Sequence, residues 1–262
     1  MDYRAITKTK HLNCAWKPIQ SFNFASKTTL IAITLDELAD AALTMPVGLV
    51  GLGNERYIFA AVCGLLENKN AFVLADGSWM FPFVPAMITS YPFKYLDSAD
   101  GQRVLCIDEN SNLLTSRSEG RPFFNEDGSI FDDFQKKMEE LEKIELGTQR
   151  SLKACEVFMD YGLIESWRIN VKSSDDQEID KKIGGLYKVS EEKLNNLPDK
   201  DFLDLKSKGL LAVAYLQILS MRKLSILEFS VAHHQRFTNA VNKNKASNLD
   251  FLNENESNLT FD

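Results

Sequence analysis

The sequence predicts an α+β protein: an antiparallel, β-rich N-terminal half with one inserted helix, a helix-rich C-terminal half with one further hairpin, and a mobile C-terminal tail. Three observations predict it. Short runs rich in β-branched and aromatic residues, separated by turn residues, fill the chain up to Thr115. From Phe131 the apolar residues instead recur three and four apart. After Asn239 the composition turns to Asn, Lys, Ser and Glu.

At 262 residues the chain is near the upper end of what one hydrophobic core serves, so one domain or two tightly joined lobes are both open. We take residues 1–238 as a single domain and 239–262 as a flexible polar tail. With 44% hydrophobic residues and 17 phenylalanines, the chain has ample material for a core. Its net charge of -7, with lysines alternating with acids throughout, supplies no basic patch for phosphate, which excludes a nucleic-acid partner. Cys14, Cys63, Cys106 and Cys155 form no CxxC pair and have no His at ligand spacing. They are expected to be reduced, buried thiols of a cytoplasmic protein. No signal peptide is expected, because Lys17, Pro18, Gln20 and Asn23 interrupt the only early apolar stretch. The apolar run 210–219 is about half of the roughly 20 residues that span a bilayer. Arg222 and Lys223 are expected to close it, which makes it a core helix and argues against membrane insertion.

The inserted helix starts at Thr34-Leu-Asp-Glu37. The threonine hydroxyl can cap the first turn, the carboxylate three residues on can reach back, and Leu35, Leu38, Ala42 and Leu43 follow at helical spacing until Met45-Pro46. Gly48-Leu-Val-Gly51-Leu-Gly53 reads as a glycine-rich turn. Residues 57–66 are β-prone, 67–70 supply a turn, and 71–74 lead through Asp76-Gly77 into 79–84; Asp-Gly accepts the positive φ values of a tight hairpin, so a hairpin is predicted there. A second strand pair is predicted for 104–107 and 112–115, and the sheet is expected to be antiparallel. Between the two pairs, Pro82, Pro85 and Pro92 remove backbone donors and impose extended or turn geometry.

Phe131, Phe134, Met138, Leu141, Thr148, Leu152, Cys155 and Met159 define one long amphipathic helix, or two joined near Gly147, with Gly162 as the stop. Its apolar face either packs into the chain's own core or self-associates, giving a homo-oligomer through the Phe131-to-Met159 helix. Residues 167–171 and 183–189 are expected to form the further hairpin around a polar loop. Ser190, Pro198 and Gly209 then open three successive helices. In the tail, Leu249, Phe251, Leu252, Leu259 and Phe261 are spaced hydrophobes fit for docking.

The standard catalytic signatures fail one by one. His11, His233 and His234 make no HxD, HExxH or HxH pattern, so no metal site is expected, and His233 and His234 read as exposed polar residues. No GxSxG elbow occurs, and the sequence proximity of His11 to Cys14 does not establish a catalytic pair. The glycines at 48–53 lack the strand, helix and Lys-Ser/Thr of a phosphate cradle. Hence neither a catalytic residue nor a cofactor is assigned. Asp108 and Glu109, with Asp76, are the candidates for general acid or base work, though solvated turn carboxylates explain them more simply. Trp79, Phe81, Pro85, Tyr91, Pro92 and Phe93 either form a rigid recognition platform or a wedge in the core.

The same residues carry a resemblance. Phe72-Val-Leu-Ala-Asp-Gly-Ser-Trp79, Val84-Pro85-Ala86, Tyr91-Pro92-Phe93, Leu105-Cys-Ile-Asp-Glu109 and Pro122-Phe-Phe-Asn-Glu-Asp-Gly128 resemble the bacterial SapC family in order and spacing. Gly162-Leu163, Gly185-Leu-Tyr-Lys-Val189, Leu197-Pro-Asp199 and Gly209-Leu210 extend the likeness over roughly residues 10 to 228. Ser90 stands where the resemblance leads one to expect an arginine. The resemblance implies a setting: SapC proteins are associated with genes for surface layers and their secretion, and related members accompany outer-membrane receptors and flavin-dependent halogenases. Two functions follow as expectations. One is a soluble, non-enzymatic accessory or adaptor that binds a protein partner in an envelope, surface-layer or secretion pathway. The other is a small-molecule binder or enzyme using the carboxylates beside an aromatic pocket, linked to halogenase or receptor systems.

Overall fold

A computed structural model describes residues 2–65, 67–98, 100–169, 171–172, 178–179 and 185–227. In chain order the first half holds strands β1 (Tyr3–Ala5), β2 (Cys14–Trp16), β3 (Leu30–Ala32), β4 (Val47–Gly51), β5 (Tyr57–Val62), β6 (Phe93–Asp97), β7 (Arg103–Asp108), β8 (Leu114–Ser116) and β9 (Arg121–Pro122). Short helices α1 (Lys8–His11), α2 (Leu38–Thr44) and α3 (Ala86–Thr89) interrupt them. The second half holds helices α4 (Asp132–Asp160), α5 (Glu191–Asn195), α6 (Asp199–Ser207) and α7 (Leu210–Ser220). Strands β10 (Ile164–Ser166), β11 (Val171–Lys172), β12 (Glu178–Ile179) and β13 (Leu186–Val189) lie between α4 and α5. Every described strand pairing is antiparallel, as the α+β expectation requires.

The main sheet runs β10-β13-β4-β5-β3, so the C-terminal hairpin adds its two strands to an N-terminal sheet. That hairpin is present, but its first arm is β10 and not 167–171; the loop residues 173–177 and 180–184 lie outside the described residues. Gly48 belongs to a central strand and not to the turn its glycine-rich context predicts. A Cβ there would meet the Trp167 ring at 3.0 Å, so the glycine serves close packing on a strand.

Two further predicted pairings are corrected. At Asp76-Gly77 the chain makes a tight turn closed by one bridge, Val73 to Trp79, because Pro82 and Pro85 prevent residues 79–84 from extending a ladder. Strand β7 pairs with β1 and β6, whereas β8 pairs with β2. The strands over 104–107 and 112–115 thus belong to different three-stranded sheets, β1-β7-β6 and β8-β2-β9.

The helix signals hold. Thr34 and Glu37 form the capping box, and the Glu37 carboxylate accepts the Thr34 N–H at 3.0 Å. Glu37 also accepts the Ala86 N–H at 2.5 Å, which ties the start of α2's turn to the first turn of α3. Helix α4 is continuous for 29 residues through Gly147, where a Cβ would come within 2.9 Å of Thr34 Cβ. Gly162 at φ +65 ends it. The apolar face of α4 is used within the chain: Phe134 and Leu141 join Trp16, Phe93, Ile107 and Phe123 in one cluster, while Ala154, Cys155 and Phe158 enter the main core. Full burial of Phe158, edge-on to Phe59 at 6.4 Å, contributes about 2–3 kcal/mol.

Helix α7 does not close at Arg222 and Lys223. It continues through a tighter turn, Met221–Lys223, to Leu227, and Leu210–Leu227 is long and apolar enough to cross a membrane by length and composition. Its inner face carries polar anchors that match the sheet. Gln217 accepts the Val189 N–H at 2.9 Å and donates to Val47 O at 2.8 Å, clamping β13 and β4 where their ladder ends. All four cysteines are free thiols; Cys63, Cys106 and Cys155 are buried, Cys14 is half-buried, and burial raises the pKa of each. His233, His234 and the hydrophobes of the tail lie outside the described residues.

Candidate functional site

The structure divides the aromatic and proline residues between core and surface. Trp79 is buried; its indole N–H donates to Phe83 O at 2.9 Å, and its ring meets Phe22 edge-on at 5.8 Å. Phe81 packs against Phe72 at 5.4 Å. Pro85 is buried and precedes α3, while Pro92, in the cis Tyr91-Pro92 unit, is also buried. Phe93 enters the second cluster against Trp16 at 5.4 Å. These five residues wedge the core. Tyr91 is half-buried and lines a groove that Phe93 also borders; its ring stacks on Phe24 at 4.0 Å with 16° between the planes.

The carboxylates separate in the same way. Asp76 sits on an exposed turn, where Ser78 donates from both N–H (2.9 Å) and hydroxyl (2.7 Å) and lowers its pKa. Glu109 lies 3.6 Å from both Lys10 and His11. That distance is too long for a hydrogen bond. Burial outweighs the Glu109 charge and lowers the His11 pKa, so the His11 contact is not an ion pair at neutral pH. Asp108 is buried at 2% exposure and accepts from Asp2 N–H (2.8 Å), Tyr91 OH (3.2 Å) and Asn110 N–H (3.3 Å). Burial first, then the Asp108 charge, pushes the Tyr91 phenol up to about 12. Tyr91 therefore acts at neutral pH as a positioned O–H donor, held by a carboxylate that is itself occupied.

Asp108 and Tyr91 are brought together; Glu109 faces His11 instead, and no described contact joins Asp76 to either. Among the described residues no group of three His, Cys, Asp or Glu side chains can hold a metal.

Two concavities meet at the Phe24–Tyr91 stack. The first, of about 280 Å³, runs along β3 and is walled by Phe24, Met87, Ile88, Tyr91 and Lys94. Strand β3 is an edge of the main sheet. Ile33 N–H donates to Phe59 O (2.9 Å) and Thr29 O accepts from Cys63 N–H (2.8 Å), so the odd-numbered residues of this segment face β5. Leu30 and Ala32 turn their backbone N–H and C=O groups to the opposite edge, where no further strand pairs among the described residues. The second concavity, of about 510 Å³, lies between residues 17–24 and 110–113, with Gln20, Asn23, Asn110 and Asn112 lining it beside Pro18, Phe24 and Leu113.

Sequence reasoning missed Phe24 and β3. The run Thr28 to Ile33, rich in Thr and Ile directly before the Thr34 cap, carries a strand signal, while its place at the sheet edge is set by tertiary pairing.

Comparison with known proteins gives one result. The model of the SapC family matches residues 6–227. No curated protein and no solved structure matches the chain.

Proposed function

The chain belongs to the SapC family, and from that premise we propose that it is a non-enzymatic accessory or adaptor protein that binds a partner protein in an envelope, surface-layer or secretion-related pathway, acting from the cytoplasm. The observation that carries the binding role is the open edge of β3 beside the Phe24–Tyr91 wall. An extended segment of a partner adds to such an edge through backbone hydrogen bonds, while alternate side chains enter the flanking groove. Met87, Ile88 and Phe24 favour an apolar side chain there, and Lys94 at the groove favours an acidic neighbour. The pathway part follows from the family's association with surface-layer and secretion genes.

Photo-cross-linking in the native cell from an analogue at Leu30 tests this. The expected catch is envelope or secretion proteins, lost in Ala32→Pro. Proline at an outward-facing N–H of an edge strand keeps the fold and deletes one donor. Recovery of the same proteins in equal yield from folded Ala32→Pro would overturn the surface.

A small-molecule role is favoured by a separate observation, the second cavity of about 510 Å³, where four Asn and Gln residues stand beside apolar and aromatic surface.

A further inference from the structure

That cavity has a chemistry of its own. Gln20 and Asn23 line it from one side, Asn110 and Asn112 from the other. Asn23 and Asn110 are engaged through their backbone N–H groups, and no described hydrogen bond involves the amide group of any of the four. Exposed amides are ordinarily satisfied by water; here four residues that carry them line one concavity together with the stacked rings of Phe24 and Tyr91, the Asn23 amide lying beside the Gly77 turn. Ser111 adds an independent sign. It is buried at 7% exposure and lines the cavity, yet its hydroxyl, although close enough to influence the Tyr91 phenol, meets no partner at hydrogen-bonding geometry.

Charge narrows the ligand. Lys17 is the one ionic side chain among the lining residues, and it already faces Glu119 at 3.4 Å. A charged ligand therefore finds no free counter-charge in these walls. An apolar ligand would leave the amides and the Ser111 hydroxyl without partners. A polyol suits both constraints: each amide offers an acceptor oxygen and two donor hydrogens to ligand hydroxyls, and an aromatic wall accepts the C–H face of a ring. The volume lies within the usual range for small-ligand sites.

We propose that this cavity binds a neutral carbohydrate of one or two sugar units, with its hydroxyls on Gln20, Asn23, Asn110 and Asn112 and its C–H face against the Phe24–Tyr91 wall. The site does not depend on the partner-protein reading, since β3 lies across the ring wall from it.

Isothermal titration of the full chain with glucose, N-acetylglucosamine, maltose, cellobiose and lactose tests the proposal. Glucose 6-phosphate and glucuronate serve as charged comparisons. The expected result is saturable binding of at least one neutral sugar at millimolar concentration or below, weakened about tenfold or more in Gln20→Leu/Asn112→Leu and unchanged in Ala32→Pro. The two substituted residues are exposed, so the fold is expected to survive, and an unchanged urea midpoint verifies it. The absence of saturable binding to every neutral sugar overturns the proposal, as does preference for the charged sugars or full retention of binding in the double variant. Loss of partner cross-linking in Ala32→Pro with sugar binding intact separates this site from the β3 edge.

Discussion

Asp108 is the residue whose removal should disturb the candidate site most. Asp108→Ala strips the acceptor from three donors, the Asp2 N–H at 2.8 Å, the Tyr91 hydroxyl at 3.2 Å and the Asn110 N–H at 3.3 Å. A hydrogen bond to a charged group contributes about 1.5–3 kcal/mol, and the two longer contacts fall at or below the lower end. The expected loss is about 3–5 kcal/mol, a large part of a typical domain's total stability. Asp108→Asn keeps one carbonyl oxygen for the two backbone donors, both on Oδ1, and turns its amide toward the Tyr91 oxygen, so its loss should be about 1–2 kcal/mol. Urea unfolding followed by tryptophan fluorescence measures both. Spectrophotometric titration should show the Tyr91 phenol moving down from about 12 in Asp108→Asn, yet staying above its ordinary 10, because burial is the larger cause. A loss below about 1 kcal/mol in Asp108→Ala, or a greater loss in Asp108→Asn, would show that this carboxylate does not hold the three donors.

Two other perturbations probe the frame. Gln217→Leu leaves the Val189 N–H and the Val47 C=O buried with one partner fewer, and should lower stability by about 2–5 kcal/mol in urea unfolding; a change within about 0.5 kcal/mol contradicts the clamp. For His11, burial holds the folded pKa below the ordinary 6.5, with the Thr7 backbone and Glu109 opposing and Lys10 assisting. The unfolded chain thus binds the extra proton first as pH falls below 6.5, and stability drops across the window between that value and the lowered folded one. Urea midpoints measured down through that window should fall less in His11→Gln than in the wild-type chain; equal slopes contradict a buried neutral ring.

Much of the fold was legible because its signals are local. The Thr34 and Glu37 box, Gly162, Ser190 and Gly209 each act within one helical turn, and the structure places helix boundaries at all of them. Partner choice between strands was not legible. Strands β1, β2 and β3 are three residues each, too short to show a period, and they pair with segments far along the chain. Local proximity therefore predicted a pairing of 104–107 with 112–115 where the sheet pairs β7 with β1. Gly48 of β4 mimicked a turn residue because the ring that needs its space, Trp167, is remote in sequence.

The site was half legible for the same reason. Tyr91 and Asp108 stood out as residue types, and their hydrogen bond is tertiary. Trp79 and Phe93 have the same composition signal as Tyr91, but enclosure by Phe22 and Phe72, or by Trp16 and Phe134, makes them core. Phe24 carried no motif, and only the fold makes it the other half of the wall.

Docking of a partner on the β3 edge is read directly by amide hydrogen exchange at Leu30 and Ala32 in the chain bound to the protein captured by cross-linking. Docking along the β3 edge predicts that both amides, open to solvent-side pairing in the free chain, become protected on binding while the Gly53 turn exchanges as before. Unchanged exchange at both residues in a stable complex would place the partner elsewhere and rule out docking on the β3 edge.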